Sequence, residues 1–422
     1  MRRIVGRSLA RAKEWKKHFS GEHPGDRLKL HAGKASPTPI MRSLFDQPVT
    51  TLLAQFAGAA PPQNLQRSLR AAYALEESPW IGRKLLKAAA GLESGLPPVS
   101  KRVDAADGTS KFLLSLSDGR AVECVLIPGV RGDHSRKRMS ARNRDDDTPR
   151  KRLPTAAACV SSQVGCAAGC SFCASGLGGL TRNLSAGEIV AQALLLRREA
   201  AARGQRLAMV VFMGMGEPLH NVDNVILAII NLTHRHAGAL PPSGVTVSTV
   251  GIVTGMEALA ASEAPPHLAV SLHAPDDATR AAIVRTAPRL WSVQETHDAA
   301  SSYSSKTKRY VTISYVLLDR INDAPEQAER LAEVLRGRKF HVNLIPHNTV
   351  EGLPFHAATK ERATRFWEIL RRKKSCCVTR AKRAAGSQPP QALWFSMSCA
   401  PDSSMSVRAS RREKVSSPVL AL

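Results

Sequence analysis

Three cysteines, Cys166, Cys170 and Cys173, lie within eight residues on a loop that also carries Gly165 and Gly169. Thiolates at CxxxCxxC spacing can hold three irons of a [4Fe–4S] cube and leave the fourth iron open for a ligand. A zinc ion is the other reading: it needs a fourth ligand for tetrahedral closure, which Cys159 could supply, although zinc sites more often pair a CxxC with a second, distant pair. The loop follows an apolar run that reads as the first strand of a barrel, where α/β barrels place their chemistry, and this position favours the cube.

A second motif, Gly214, Met215, Gly216, Glu217 and Pro218, follows the apolar run Val210 to Met213. Glycines at a strand end let a ligand approach the main chain, and Glu217 can accept hydrogen bonds from an ammonium group. A plain strand-to-helix turn would explain a bare GxG; its register with the cysteine loop points to a cofactor contact instead.

The elements that position these motifs follow from hydrophobic periodicity. Met41 to about Gly95 carries apolar residues at helical intervals, such as Val49, Leu52, Leu53 and Phe56, and Pro61 and Pro62 interrupt it. Residues 41–100 are therefore expected to form a small helical accessory domain. Phe112 to Leu116 and Ala121 to Ile127 flank Ser117, Asp118 and Gly119, which predicts a β-hairpin over 101–128 with Glu123 in its second strand. Residues 129–153 are crowded with charges and read as a solvated, disordered loop. Beyond it, strands are expected at Cys159 to Val164, Ala208 to Met213, Val245 to Val250, Leu268 to Leu272, Val311 to Leu317 and Val342 to Ile345, alternating with helices. About six βα units over 154–383 predict an α/β fold, a partial (β/α)6 barrel with its site at the carboxyl ends of the strands. Residues 384–422 lose all periodicity and read as a divergent, disordered tail.

The chain has 422 residues, 60 Lys and Arg against 35 Asp and Glu, and a net charge of +25, so a polyanionic partner is expected. Its eight cysteines do not read as a disulfide framework and suit a reducing compartment. No apolar run approaches the roughly 20 residues of a membrane-spanning helix, and no secretory signal is evident, which predicts a soluble, cytoplasmic protein. Residues 1–40, with Arg2, Arg3, Arg7, Arg11, Lys13, Lys16 and Lys17, are basic and acid-poor, so a plastid or mitochondrial transit segment is also compatible.

From about Leu116 to Arg383 the sequence resembles the RlmN/Cfr-type radical SAM methyltransferases, which modify C2 or C8 of an adenine in RNA. The resemblance is carried by CVSSQVGC from Cys159 to Cys166, by Cys170 and Cys173, by GMGEP, by Val245 to Ser248, by SLHAP from Ser271 to Pro275 and by NLIP from Asn343 to Pro346. The SSQVGC context and NLIP point to the C2-methylating RlmN branch. The resemblance implies a radical SAM barrel holding a [4Fe–4S] cluster on Cys166, Cys170 and Cys173. It further implies S-adenosylmethionine (SAM) on Gly216, Glu217, Ser248, Ser271, Leu272, His273 and Asn343, and a structured RNA, rRNA or tRNA, as substrate. Glu123 matches the family's proton acceptor, and Cys159 matches the cysteine that resolves a protein–RNA adduct by forming a disulfide. A monomer, reduced by a flavodoxin or ferredoxin and independent of membranes, completes the expectation. Arg371 to Lys374 and Arg380, Lys382 and Arg383 are the expected RNA contacts near the barrel mouth, with residues 41–95 as a reader of RNA fold.

The chain departs from the family at its end. The family carries its methyl group on a cysteine in a segment of the form RGxDIxAACGQL. Here Thr379 to Gly386 begins a similar stretch, which then diverges into Ser387, Gln388, Pro389 and Pro390, and ungapped counting puts Gln391 near the cysteine's position. Cys399 stands in an unrelated context, and Cys376 and Cys377 precede the segment on an expected strand. A frameshifted or misassembled gene end, a tail that returns Cys399 to the site, and loss of methyl transfer would each produce this. The abrupt change after Arg383 favours the first. Loss of transfer would leave a non-catalytic iron–sulfur or zinc RNA-binding relative. The long charged loop also departs from the family and reads as an extra RNA contact or a translated intron.

Overall fold

The computed structural model describes residues 43–74, 96–129, 153–286, 291–338, 340–350 and 352–373, and the main chain of 377–380. The expected extension 1–40, most of the charged loop, the tail 384–422 and the basic positions Lys374, Lys382 and Arg383 lie outside the described residues.

The strands are β1 (Val99–Asp104), β2 (Ser110–Ser115), β3 (Ala121–Pro128), β4 (Thr155–Val160), β5 (Gln163–Gly165), β6 (Leu180–Asn183), β7 (Arg206–Phe212), β8 (Val245–Thr249), β9 (His267–Ser271), β10 (Val311–Leu317), β11 (Phe340–Pro346) and β12 (Cys377–Arg380). Ten of them form one sheet in the order β1-β2-β3-β4-β7-β8-β9-β10-β11-β12, while β5 and β6 pair separately. Pairing is antiparallel from β1 to β4 and parallel from β4 to β12. The fold is mixed α/β with a parallel-rich central sheet, and β12, at the strand expected around Cys376 and Cys377, adds a parallel strand to the six of the βα units.

Two expectations change. The hairpin over 101–128 is the inner part of a three-stranded meander, because β1 pairs with β2. All six β1 residues are exposed, so the strand has no apolar alternation to betray it. The strand expected over Cys159 to Val164 breaks after Val160. Gln192 is the cause: its Oε1 accepts from Ser161 N at 2.8 Å and its Nε2 donates to Ser161 O at 3.1 Å, taking both main-chain groups of Ser161 out of the sheet ladder.

Helices α1 (Val49–Gln55), α2 (Pro62–Ala74), α3 (Ala186–Ala202), α4 (Val222–Thr233), α5 (Val253–Ala261), α6 (Asp277–Ile283), α7 (Val293–Thr307), α8 (Pro325–Val334) and α9 (Lys360–Arg372) accompany the strands. Alternate strand residues, including Ala158, Val160, Val210, Phe212, Val247, Leu268, Val270, Ile313 and Leu344, join one core with Ile189, Leu194, Val225 and Leu331 of the helices. The α1–α2 pair shares that core through Val49, Leu52, Leu65, Leu69 and Tyr73. The attachment is also polar. Buried Asn231 of α4 accepts from Val49 N at 3.2 Å and donates to Phe45 O and Gln47 O at 3.0 Å each, and Asp46 Oδ1 accepts from Gly187 N at 2.5 Å.

The other sheet face carries a small cluster of Val125, Ile127, Ala157, Cys159 and Val211. The two-residue period of a strand places Glu123, Ser248, Ser271, Ser314 and Asn343 on this same face, opposite the helix layer.

Candidate active site

The two loop motifs are bound to each other by the main chain. Met215 N donates to Ser161 Oγ at 2.8 Å, Ser162 N donates to Met215 O at 2.8 Å, and Glu217 N donates to Gln163 Oε1 at 2.8 Å. Gly216, at φ +105°, lies where an added Cβ would sit 2.6 Å from Gln163 Cβ, so only glycine fits this contact. On the other side of the cysteines, Gly165 has φ +78°, and Cys166 N donates to Gly179 O at 2.9 Å.

The cysteine loop itself rests on α6 and the residues after it. Cys170 bridges Val284, Ser171 donates to Ile283 O from N at 2.9 Å and from Oγ at 3.0 Å, and Thr286 Oγ1 donates to Ala168 O at 2.8 Å. Phe172 meets the rings of His273 and His347 edge-on, with centroids 5.2 and 6.2 Å apart. Burial pushes the Cys166 thiol up to about 11 and raises Cys170, and neighbouring cysteines add to both shifts. Bound cations invert that logic and hold thiolates deprotonated.

Glu217 is 3% exposed, and its carboxylate accepts from Leu219 N at 3.0 Å and Val250 N at 2.8 Å. Burial still outweighs these hydrogen bonds and pushes its pKa up to about 7. Ser248 and Ser271 share a hydroxyl hydrogen bond of 3.1 Å between β8 and β9. Ser271 pairs in register with Ser314, and Ser314 with Asn343, giving a polar row across β9, β10 and β11. The Ser314 hydroxyl and both amide atoms of Asn343 are buried without a hydrogen-bond partner. Leu272 turns its side chain into the helix-side core and offers a ligand only main chain. His273, at φ +58°, accepts from Val316 N at its Nδ1, and burial holds its pKa down to about 3, so the ring is neutral.

Cys159 is buried on the non-helical sheet face, and burial pushes its thiol up to about 12. Glu123, on the same face, accepts from Lys111 Nζ at 3.0 Å. No disulfide joins Cys124, Cys159, Cys166, Cys170 or Cys173. Cys124 and Cys159 are near neighbours, but Cys124 belongs to the helix-side core and Cys159 to the opposite face. Among the described residues no helix is long and apolar enough to cross a membrane.

Residues 160–333 match the Radical SAM superfamily model. The chain is 42% identical over 312 residues, 73% of its length and 81% of the relative's, to the probable dual-specificity RNA methyltransferase RlmN 1 of Opitutus terrae. It is 38% identical to the ribosomal RNA large subunit methyltransferase N of Nitrosopumilus maritimus, covering 84% of that protein. The chain belongs to the RlmN-type radical SAM RNA methyltransferase family. Among solved structures, a radical SAM methyltransferase from Sphaerobacter thermophilus aligns over 81% of this chain and 96% of its own, with a TM-score of 0.70 and 34% identity.

Radical SAM membership brings a [4Fe–4S] cluster and SAM, and the residues fit both. Three cysteines on one loop docked against α6 suit three irons of a cube, whereas among the described residues no group of three His, Cys, Asp or Glu side chains is placed to hold a single metal ion. Asn343 and Ser314 hold buried polar atoms that lack partners, and such atoms call for a ligand or water to satisfy them. Ser314, Gln163 and Gln192 were not singled out from the sequence. For Ser314 a signal was present, since it lies at the two-residue spacing of the polar positions in Val311 to Leu317.

Proposed function

We propose that this RlmN-type chain methylates C2 of an adenine in large-subunit rRNA and in tRNA. The observation that carries this reading is the row Ser248, Ser271, Ser314 and Asn343, in which the buried polar atoms of Ser314 and Asn343 lack partners, on the sheet face that also carries Cys159 and Glu123. Cys166, Cys170 and Cys173 hold the cluster. Gly216, Glu217, Ser248, Ser271, Leu272, His273 and Asn343 hold SAM, with Leu272 contributing main chain and Glu217 facing the ammonium group. Bound together, cluster and SAM supply a 5′-deoxyadenosyl radical, which makes attack at an aromatic C–H feasible.

The side chains carry the remaining tasks. Neutral His273 spends its Nδ1 on Val316 N and props the Phe172 ring, so it shapes the site without titrating near neutral pH. Glu123 takes the proton released from the adenine carbon, and Lys111 holds its carboxylate in place. Cys159 would attack the methyl-carrying cysteine's sulfur as a thiolate, forming an S–S bond as the S–CH2 bond to the RNA breaks and the adenine side takes the electron pair, and burial disfavours that thiolate in the resting site. Methyl transfer also requires a methyl-carrying cysteine. The position matching it by ungapped counting is Gln391, and a frameshifted gene end, favoured by the abrupt change after Arg383, would account for its absence.

The test is anaerobic reconstitution followed by incubation with SAM, a reductant and rRNA, with nucleosides read by mass spectrometry. Appearance of 2-methyladenine together with 5′-deoxyadenosine supports the proposal. 8-Methyladenine would reassign the carbon. 5′-Deoxyadenosine alone would leave radical formation intact and sink methylation, as expected of an RNA-binding relative that lost its methyl carrier. Sequencing the transcript across codons 380–400 distinguishes a shifted reading frame from a true substitution.

A further inference from the structure

Arg280 of α6 is 1% exposed, a guanidinium sealed into the protein on the helix whose far end docks the cysteine loop. Nη1 donates to Trp291 O at 2.7 Å and to Thr296 Oγ1 at 3.4 Å, and Nη2 donates to Val250 O. Nε has no partner. Every acceptor is a neutral oxygen, and among the described residues no ion pair includes Arg280. Asp277, one turn earlier, is exposed and spends Oδ1 on Val293 N at 2.7 Å. A guanidinium does not shed its proton to escape burial, and an unpaired buried charge is strongly unfavourable. The fold therefore keeps a cation for which the chain supplies no hydrogen-bonded anion.

The missing anion has an evident position. The loop segment 168–171 is sewn to Ile283, Val284 and Thr286 at the end of the helix that carries Arg280. Burial pushes the Arg280 pKa down, and the charges of Asp277 and Cys170 oppose that shift. Three thiolates outweigh the charge of an oxidised cube, and taking up one electron makes the assembly more negative still. A fixed cation in a low-dielectric interior favours the more negative state.

We propose that Arg280 is the built-in counter-charge of the iron–sulfur cluster, a positioning residue that stabilises the reduced state and raises its reduction potential. This rests on the cluster reading of Cys166, Cys170 and Cys173. The step concerned is the addition of one electron to the cluster from an external one-electron reductant, with no proton moved at Arg280.

The experiment is an anaerobic redox titration of the reconstituted full chain with dithionite, read by electron paramagnetic resonance of the reduced cluster. Arg280→Gln is expected to lower the equilibrium constant for reduction about tenfold, equal to about 59 mV for a one-electron couple. Arg280→Lys keeps the charge and is expected to stay within about threefold of the parent. Asp277→Asn, at an exposed position, removes the nearest carboxylate and is expected to shift the constant the other way; this variant carries the test if the Arg280 variants fail to fold. An unchanged constant in Arg280→Gln, an equal shift in Arg280→Lys, or no rise in Asp277→Asn would overturn the inference. If the parent chain binds no iron, the cluster reading falls as well, and the two failures are told apart by iron content before any titration.

Discussion

The main-chain N–H of Glu217 donates to the side-chain carbonyl of Gln163 at 2.8 Å, and this bond joins the two motifs of the site across 54 residues of sequence. Gln163 then reaches on through Nε2 to Asn183 Oδ1 at 2.7 Å, so one amide side chain ties the GMGEP loop to both strands that flank the cysteines. The cysteine loop and the carboxylate beside it therefore move as one body.

The tightness of that contact sets the first prediction. A methyl group at Gly216 would sit 2.6 Å from Gln163 Cβ and 2.8 Å from its main-chain N, on a backbone at φ +105°. Gly216→Ala is expected to lose about 2 to 4 kcal/mol of stability from overpacking and backbone strain together. Gln163→Ala leaves the Glu217 N–H buried without an acceptor, at about 1 to 3 kcal/mol. Thermal unfolding of the two cluster-free variants checks both values, and a Gly216→Ala protein as stable as its parent would refute the packing argument.

Glu217 gives a pH signature in the unliganded protein. Its folded pKa of about 7 lies above the ordinary carboxyl value, so its proton stabilises the fold at low pH, and that contribution is lost as pH rises through about 7. The full swing is on the order of 3 kcal/mol. Relative to Glu217→Gln, the parent should lose stability between pH 5 and pH 8, as measured by paired denaturant titrations at each pH. SAM should blunt the loss, because its ammonium group restores a partner to the ionised carboxylate. A constant difference between the two proteins across this range would sink the idea.

What the sequence revealed and what it withheld divide along one line. CxxxCxxC, GMGEP and the parallel strands are local signals: each needs only a few neighbouring residues, and each lies at a strand end as the periodicity implies. Ser314 and Arg280 gain their meaning from partners far away. Ser314 matters because it aligns with Ser271 and Asn343, and Arg280 because the end of its helix docks the cysteine loop. The break after Val160 is likewise written by Gln192, 31 residues on, and no window around Ser161 contains it. The α1–α2 segment has a helical pattern, but its seat on α4 depends on Asn231, a polar residue set among Ala228, Ile229, Ile230 and Leu232.

The thiols are separable from the fold. The cysteine loop is docked by Ser171, Thr286 and main-chain groups, none of which needs metal. Cys166→Ala should thus abolish brown colour and cut iron content after reconstitution. Stability of the iron-free protein should change by less than about 1.5 kcal/mol, the scale of a small volume change at a partly exposed site. Iron analysis and thermal unfolding on the same samples check this, and global unfolding of the variant would show that the thiol also supports the fold.

Asn231 makes the strongest case for a single residue that joins the amino-terminal helices to the barrel. Its amide satisfies Val49 N at the start of α1 and the carbonyls of Phe45 and Gln47 before it, all from a fully buried position on α4. Asn231→Ala strands one donor and two acceptors in a dry interface, which is expected to destabilise the attachment by about 2 to 4 kcal/mol. Asn231→Asp keeps an acceptor for Val49 N, removes both donors and buries a charge, so it should be no better. The sheet does not depend on this contact, because its strand ladder lies elsewhere. Hydrogen exchange should therefore show faster exchange confined to residues 43–74 with the barrel strands still protected, and the cysteine loop should still take up iron. Uniform loss of protection across β4 to β11 would mean instead that these helices and the barrel fold as one unit, and that Asn231 belongs to the core of the whole.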